Sequence, residues 1–344
     1  MKDIQKIVVF RLSSIGDIVL TTALLRNIRG TYPNAQIDFV VKRQFAGIVD
    51  MMPWVNNVYK LDSSLGMAGL HKLRAELSQN KYDVILDIHK NWRSQFIRNT
   101  IFAKKIVTFK KHVFKRFLLI KFKLDAYNVP RPVYLRFIDA GVKIGVKNDG
   151  NKTELVIPDD VQKKVDNYLE DHKIKPHKDI LVLCPGASFL NKEWTADNFK
   201  LLAEKIISEL KFQVVLLGGA KEQAVCEEIA NAIEGSILSV AGKFSLPQSG
   251  ALLNRTRITI ANDTGMLHMS EALKVPVVGI YGPTVRQFGY SPILEKSKVA
   301  QIELACRPCT KMGMNHCPKG TFDCTKLISV EMVFKMITQI LEEK

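Results

Sequence analysis

Residues 6–29 read KIVVFRLSSIGDIVLTTALLRNIR, and this stretch decides the fold. Residues 6–12 are rich in β-branched and aromatic side chains and predict a buried strand. Ser13-Ser14-Ile15-Gly16-Asp17 predicts a turn, and a helical pattern follows through Arg29. Outward from there, residues 36–41 predict the next strand. Residues 82–88 predict another, with a helical stretch from Trp92. Strands alternating with helices predict a parallel sheet covered on both faces.

The second half repeats this logic. Residues 179–184 predict a strand closed by Pro185-Gly186, and residues 195–210 a helix with Thr195 as N-cap. Residues 213–217 predict a strand ending at Gly218-Gly219, followed by a helix over 221–233. Residues 257–261 predict a strand that ends at Asn262-Asp263-Thr264-Gly265, with a helix over 266–273 and a strand over 275–281. A last helix is expected over 329–341. The polar segment 147–178, with Gly150, Pro158 and Pro176, is expected to carry the linker. The two halves predict an α/β protein of two similar domains, 1–165 and 166–344, facing each other across a cleft. The final helix is allowed to pack back on the first domain.

Composition bounds the function. A chain of 344 residues suits two domains. Hydrophobic residues make up 47%, yet no apolar run reaches the roughly 18–20 residues that span a bilayer. Arg11 and Asp17 interrupt the first apolar run, and no small-residue cleavage site follows, so the expectation is a cytoplasmic protein without a signal peptide. The formal net charge of +16 admits nucleic acid, an anionic membrane face or an acidic substrate. The stretch 104–136 concentrates that charge. It carries Lys104, Lys105, Lys110, Lys111, Lys115, Arg116, Lys121, Lys123, Arg131 and Arg136 against the single acid Asp125. Phe109, Phe114, Phe117 and Phe122 are interleaved with them.

Four segments are able to carry chemistry. The Ser13–Asp17 turn brings backbone and helix-start amides toward a ligand, with Asp17 at the carboxyl end of the sheet, where open α/β sheets bind. Its plain alternative is a first-turn charge favoured by the helix dipole. Pro185-Gly186-Ala187-Ser188 followed by Lys192 and Trp194 suits a phosphate, through amides, a hydroxyl and a mobile cation. In Asn262-Asp263-Thr264-Gly265 the strand ends and a helix begins, which makes an anion nest. His268 follows one turn later on the side of Thr264. Tyr281-Gly282-Pro283-Thr284 fixes a tight turn at another strand end. Glu222, at the start of the helix after Gly218-Gly219, suits ribose hydroxyls. The dinucleotide fingerprint G-x-G-x-x-G is absent, which counts against an NAD-dependent oxidoreductase.

Together these pieces resemble the heptosyltransferase family that transfers heptose from ADP-heptose onto the lipopolysaccharide inner core. The resemblance runs over residues 11–22 with Leu24 and Leu25, then Asp83-Val84-Ile85-Leu86-Asp87-Ile88-His89 with Arg93-Ser94. Cys184-Pro185-Gly186-Ala187, Lys192, Trp194, Asp263-Thr264-Gly265, His268 and Gly282-Pro283-Thr284 follow in family order. Met266 departs from the proline that many members carry after the triplet. The resemblance implies the GT-B fold of two Rossmann-like domains, with acceptor on the first and nucleotide sugar on the second. It implies Asp17 as catalytic base and Ser188, Lys192, Glu222, Asp263, Thr264, Gly265 and His268 as donor contacts. Acceptor contacts are expected at Ser14, Gly16, His89, Arg93, Lys111 and Arg116.

The expected reaction is an inverting single displacement with no cofactor and no catalytic metal. The expected partners are ADP-heptose, an anionic Kdo-lipid A type acceptor and the anionic inner-membrane surface, reached by the basic stretch. Nucleic acid is not expected, because no recognition motif accompanies the charge; a basic nucleic-acid-binding protein remains the rival from another class. Another sugar nucleotide or acceptor is the closer alternative. Cys184 and Cys226 predict small buried hydrophobes. Cys306, Cys309, Cys317 and Cys324 have the count of a zinc site, but the second pair is widely spaced for one. Related heptosyltransferases carry a similar segment outside their proposed chemistry.

Overall fold

In the computed structural model, residues 4–175 and 179–343 are described, so residues 176–178 of the expected linker, Pro176 among them, lie outside the described residues. The chain divides into two compact units. One comprises Met1–Lys111 and Arg131–Val156, the other His112–Pro130 and Ile157–Lys344.

The first unit holds five parallel strands, β1 (Lys6–Phe10), β2 (Gln36–Lys42), β3 (Asn57–Leu61), β4 (Tyr82–Asp87) and β5 (Ala103–Thr108), in the order β3-β2-β1-β4-β5. Val8, Phe10, Val40 and Ile85 from the central strands pack with Leu70, Leu73, Leu77 and Ile97 of the covering helices. A strand buried on both faces needs this unbroken apolar run. The order reverses between β1 and β4, so the loops after those two strands face the natural ligand crevice of the sheet.

The second unit holds six parallel strands, β6 (Ile180–Cys184), β7 (Gln213–Leu216), β8 (Ile237–Ser239), β9 (Ile258–Asn262), β10 (Val277–Ile280) and β11 (Lys298–Ala300), in the order β11-β10-β9-β6-β7-β8. Its switch point lies between β6 and β9. Thr195 caps the helix Ala196–Lys205 as expected, accepting from the Asn198 amide at 3.2 Å. The last helix, Val330–Glu342, places Val333, Phe334, Ile337 and Ile340 in the core of this unit. Its apolar stripe is taken up there, where the sequence had left a return to the first domain open.

The division differs from two contiguous domains parting at residue 165. The helix Asp159–Asp171 belongs wholly to the second unit, because Arg255 holds Asp166 through two hydrogen bonds and Gln162 donates to the Ala251 carbonyl. Segment 112–130 joins the second unit too. Leu119 and Tyr127 pack with Phe288, and Lys123 Nζ donates to the carbonyls of Cys306 and Pro308. The basic stretch is therefore not one surface. Lys104 pairs with Asp83, Arg131 pairs with Asp139, and Arg136 is buried over the Phe109 ring.

Candidate functional site

The crevice of the first unit is built on the loops after β1 and β4. The short helix Ile15–Val19 begins at Ser14 and puts Asp17 in its first turn, with Gly16 buried beside it. Arg11 Nη2 meets Asp17 Oδ2 at 2.6 Å, and Ser14 Oγ donates to the same oxygen at 3.1 Å. Arg11 Nη1 donates to the Ile88 carbonyl at 2.7 Å, so one guanidinium joins the two loops. The β4 loop is shaped by fully buried Asp87, which accepts from the amides of His89 and Lys90, from Ser94 Oγ and from Arg98.

His89 lies in the fields of Arg11, Lys111 and Asp17. Burial first, then the Arg11 and Lys111 charges, push its pKa down from 6.5 to about 3. Its Nδ1 is buried with no hydrogen-bond partner among the described residues. Lys111 Nζ donates to the Lys90 carbonyl at 2.9 Å. Arg93 lies at the start of the helix Trp92–Arg98, its guanidinium over the Trp92 ring. The structure thus gathers Ser14, Gly16, Asp17 and His89 on two adjoining loops, with Arg93 on the helix that follows and Lys111 reaching the second loop from the segment after β5. Arg116 is the exception. It falls in the second unit, where its guanidinium lies over the Phe288 ring because segment 112–130 packs there.

In the second unit the loops after β6 and β9 are laced together by Asn262, which the sequence reading had treated only as part of a turn. Its Nδ2 donates to the Pro185 carbonyl at 2.7 Å, and its Oδ1 accepts from the Trp194 amide at 3.1 Å. Lys192 Nζ meets Asp263 Oδ2 at 2.7 Å, and Thr284 Oγ1 donates to that same oxygen at 2.7 Å. Asp263 is therefore turned to the lysine. Thr264 is the extended N-cap of the helix Gly265–Ala272, whose first amides lie at the carboxyl end of the sheet. His268 is buried in that helix with its ring 6.1 Å from Tyr290.

A cavity of about 700 Å³ opens in this unit, lined by Gly186, Ser188, Glu193, Glu222 and Asn315 among others. Glu222 packs its stem where a Cβ on Gly186 would fall, 2.3 Å from Glu222 Cγ, and its Oε2 accepts from the Gly219 amide at 2.8 Å. Burial, then the nearby Glu222, push the Glu193 carboxyl up. Ser188 and Glu222 line the cavity directly. Lys192 lies in the chain between its lining residues Leu190 and Glu193, while Asp263, Thr264, Gly265 and His268 stand at the neighbouring strand end.

The six cysteines are free thiols. Cys184 and Cys226 are buried as small hydrophobes, and burial pushes the Cys226 thiol up to about 12. Among the described residues no three or more His, Cys, Asp or Glu side chains are arranged to hold a metal ion, so Cys306, Cys309, Cys317 and Cys324 are close enough to feel one another's charge without forming a ligand set. Arg307, between the first pair, donates to the Thr284 carbonyl at 2.8 Å and so reaches the residue that holds Asp263. Arg11, Asp87, Asn262 and Arg307 are the contributors the sequence reading missed. For Arg11, Asp87 and Asn262 a charge or amide at a strand end was the available signal. No helix of the described residues is long and apolar enough to cross a membrane.

Comparison with known proteins agrees with this architecture. A family model described as glycosyltransferase family 9 (heptosyltransferase) matches residues 70–318. The chain is 26% identical to lipopolysaccharide heptosyltransferase 3 of Escherichia coli, covering 79% of this chain and 81% of that one. Among solved structures, a glycosyl transferase family 9 protein from Veillonella parvula superposes with TM-score 0.83 at 22% identity, over 100% of this chain and 99% of that one. The Escherichia coli ADP-heptose LPS heptosyltransferase II superposes with TM-score 0.77 at 22% identity, over 98% and 99%. These likenesses identify the fold as GT-B.

Proposed function

Because the chain belongs to glycosyltransferase family 9, the heptosyltransferase family, we propose that it moves heptose from ADP-heptose onto an anionic lipopolysaccharide core acceptor, inverting the anomeric carbon in a single displacement. The observation that carries this reading is Lys192, held by Asp263 at the switch point of the second sheet, next in the chain to the cavity-lining Glu193. A cation fixed there, with the helix-start amides after Thr264, is a preorganised counter-charge for a diphosphate leaving group. Asp263 acts through the lysine, since a carboxylate facing a diphosphate directly would repel it. Glu222 suits the hydroxyls of the ribose.

The acceptor hydroxyl attacks the anomeric carbon and gives its proton to Asp17. The carbon–oxygen bond to the diphosphate breaks, and ADP leaves with the electron pair. Arg11 and Ser14 both hold Asp17 Oδ2 and so orient the carboxylate. Lys192 and the helix start meet the charge on the leaving group, so the step needs no metal.

Calorimetry with ADP, UDP and GDP, followed by turnover of ADP-heptose with and without chelator, tests the reading. ADP should bind selectively. Lys192→Ala should weaken it about tenfold or more, and Asp17→Asn should leave binding intact while lowering kcat by about 10²–10⁴-fold. Near-normal turnover in Asp17→Asn sinks the base assignment, and tighter UDP or GDP binding sinks the heptose donor.

A further inference from the structure

We propose that the solvent face of the helix Val113–Phe122 docks this protein on an anionic lipid surface. The helix buries Leu119, which packs with Tyr127 and Phe288. At 3.6 residues per turn, Val113, Phe114, Phe117 and Lys121 fall together on the opposite face. Phe114 is 70% exposed and Phe117 51%. Phe122, also exposed, stands edge-on to Phe117 with ring centroids 5.8 Å apart. Leu124 and Val129, in the chain that follows, are exposed as well.

Three exposed phenylalanines within nine residues are more than scattered surface apolarity, and such a patch marks an interaction surface. The mounting is firm. Lys123 Nζ donates to the carbonyls of Ile120, Cys306 and Pro308, which ties the helix end to the body of its unit.

Charge identifies the occupant. Lys121 is exposed on the same face as the rings, and Lys115, Arg116, Lys121 and Lys123 meet no acid from residue 112 to 124. Phenylalanines that enter the acyl boundary, with lysines that reach anionic headgroups, are the two components of interfacial binding. A second copy is disfavoured, because an isologous contact would set the same cations against each other. This inference concerns where the protein binds, and it stands apart from the identity of the transferred sugar.

Sedimentation with phosphatidylcholine vesicles, with and without phosphatidylglycerol, reads the docking directly. The protein should bind the phosphatidylglycerol vesicles and lose that binding in high salt. Phe114→Ser combined with Phe117→Ser should weaken it at least about tenfold, and Lys121→Glu should weaken it as well. All variants should keep wild-type ADP affinity, which shows that the fold is intact and separates this test from the donor assignment. Equal binding to both vesicle types overturns the proposal, as does wild-type binding by the double variant. Self-association that the double variant abolishes, without vesicle binding, assigns the patch to a second copy instead.

Discussion

His89 is held as a neutral imidazole by burial and by the charges of Arg11 and Lys111, with its pKa pushed down to about 3. This has a measurable cost in acid. In the unfolded chain the ring takes up a proton near its ordinary 6.5, and in the folded chain near 3. Between those values the unfolded state binds more protons, so acid favours unfolding. The contribution of His89 is whole above about pH 6.5 and falls steadily as the pH drops toward 3. His89→Gln, which cannot protonate, should flatten that slope. Urea midpoints of the two proteins at about pH 7 and about pH 5 check this, and an unchanged pH dependence in the variant would mean that other groups set it. The same ring explains how the crevice tolerates its cations. Arg11 and Lys111 stand near a neutral histidine rather than a third positive charge.

At the scale of elements, two loops meet against one carboxylate stem in the proposed donor site. Gly186, after β6, and Gly218, after β7, both leave room for Glu222, and a Cβ on Gly186 would stand 2.3 Å from Glu222 Cγ and 2.9 Å from Oε1. Gly186→Ala should displace Glu222 and weaken ADP about tenfold, roughly the value of one hydrogen bond from a ribose hydroxyl to a carboxylate. Calorimetry decides it; unchanged affinity would remove Glu222 from the donor contacts. Much of this geometry was legible in the sequence. The apolar runs at β1, β4, β6, β9 and β10, each closed by small or turn residues, announced the central strands and the loops between them. The edge strands were not legible. β3 and β5 bury only Leu61 and Val107 and carry Lys60, Lys104 and Lys105, because an edge needs charge to discourage pairing with other chains. β8 and β11 have three residues each, too few to show a period. The Lys192–Asp263 pair escaped for a different reason: both residues were assigned to the donor, and spacing alone does not reveal that two such charges face each other. Segment 112–130 was misplaced because its attachment runs through Phe288 and the Cys306–Pro308 backbone, far along the chain.

The whole molecule divides its labour between two cores, and a ligand should register that division. Leu181, Trp194, Leu216, Ile258 and Ile337 belong to the core beneath the donor loops, whereas Val8, Phe10, Val40 and Ile85 belong to the core beneath Asp17 and His89. Local opening of each unit is governed by its own contacts. A ligand stabilises the structure it binds by mass action, about 2.7 kcal/mol at a hundred times its Kd. If ADP is held by Lys192, Glu222 and the helix after Thr264, amide exchange should slow in the loops after β6 and β9 and in the strands that carry them. Exchange in the loops after β1 and β4 should stay near its unliganded rate, because the proposed reaction has Asp17 meet the acceptor rather than the nucleotide. Hydrogen-exchange mass spectrometry with saturating ADP separates the cases. Protection confined to the second unit supports the assignment of the donor to it. Equal protection around Asp17 and His89 would show that the nucleotide is shared by both units, and it would make Arg11 and Lys111 candidates for diphosphate contacts.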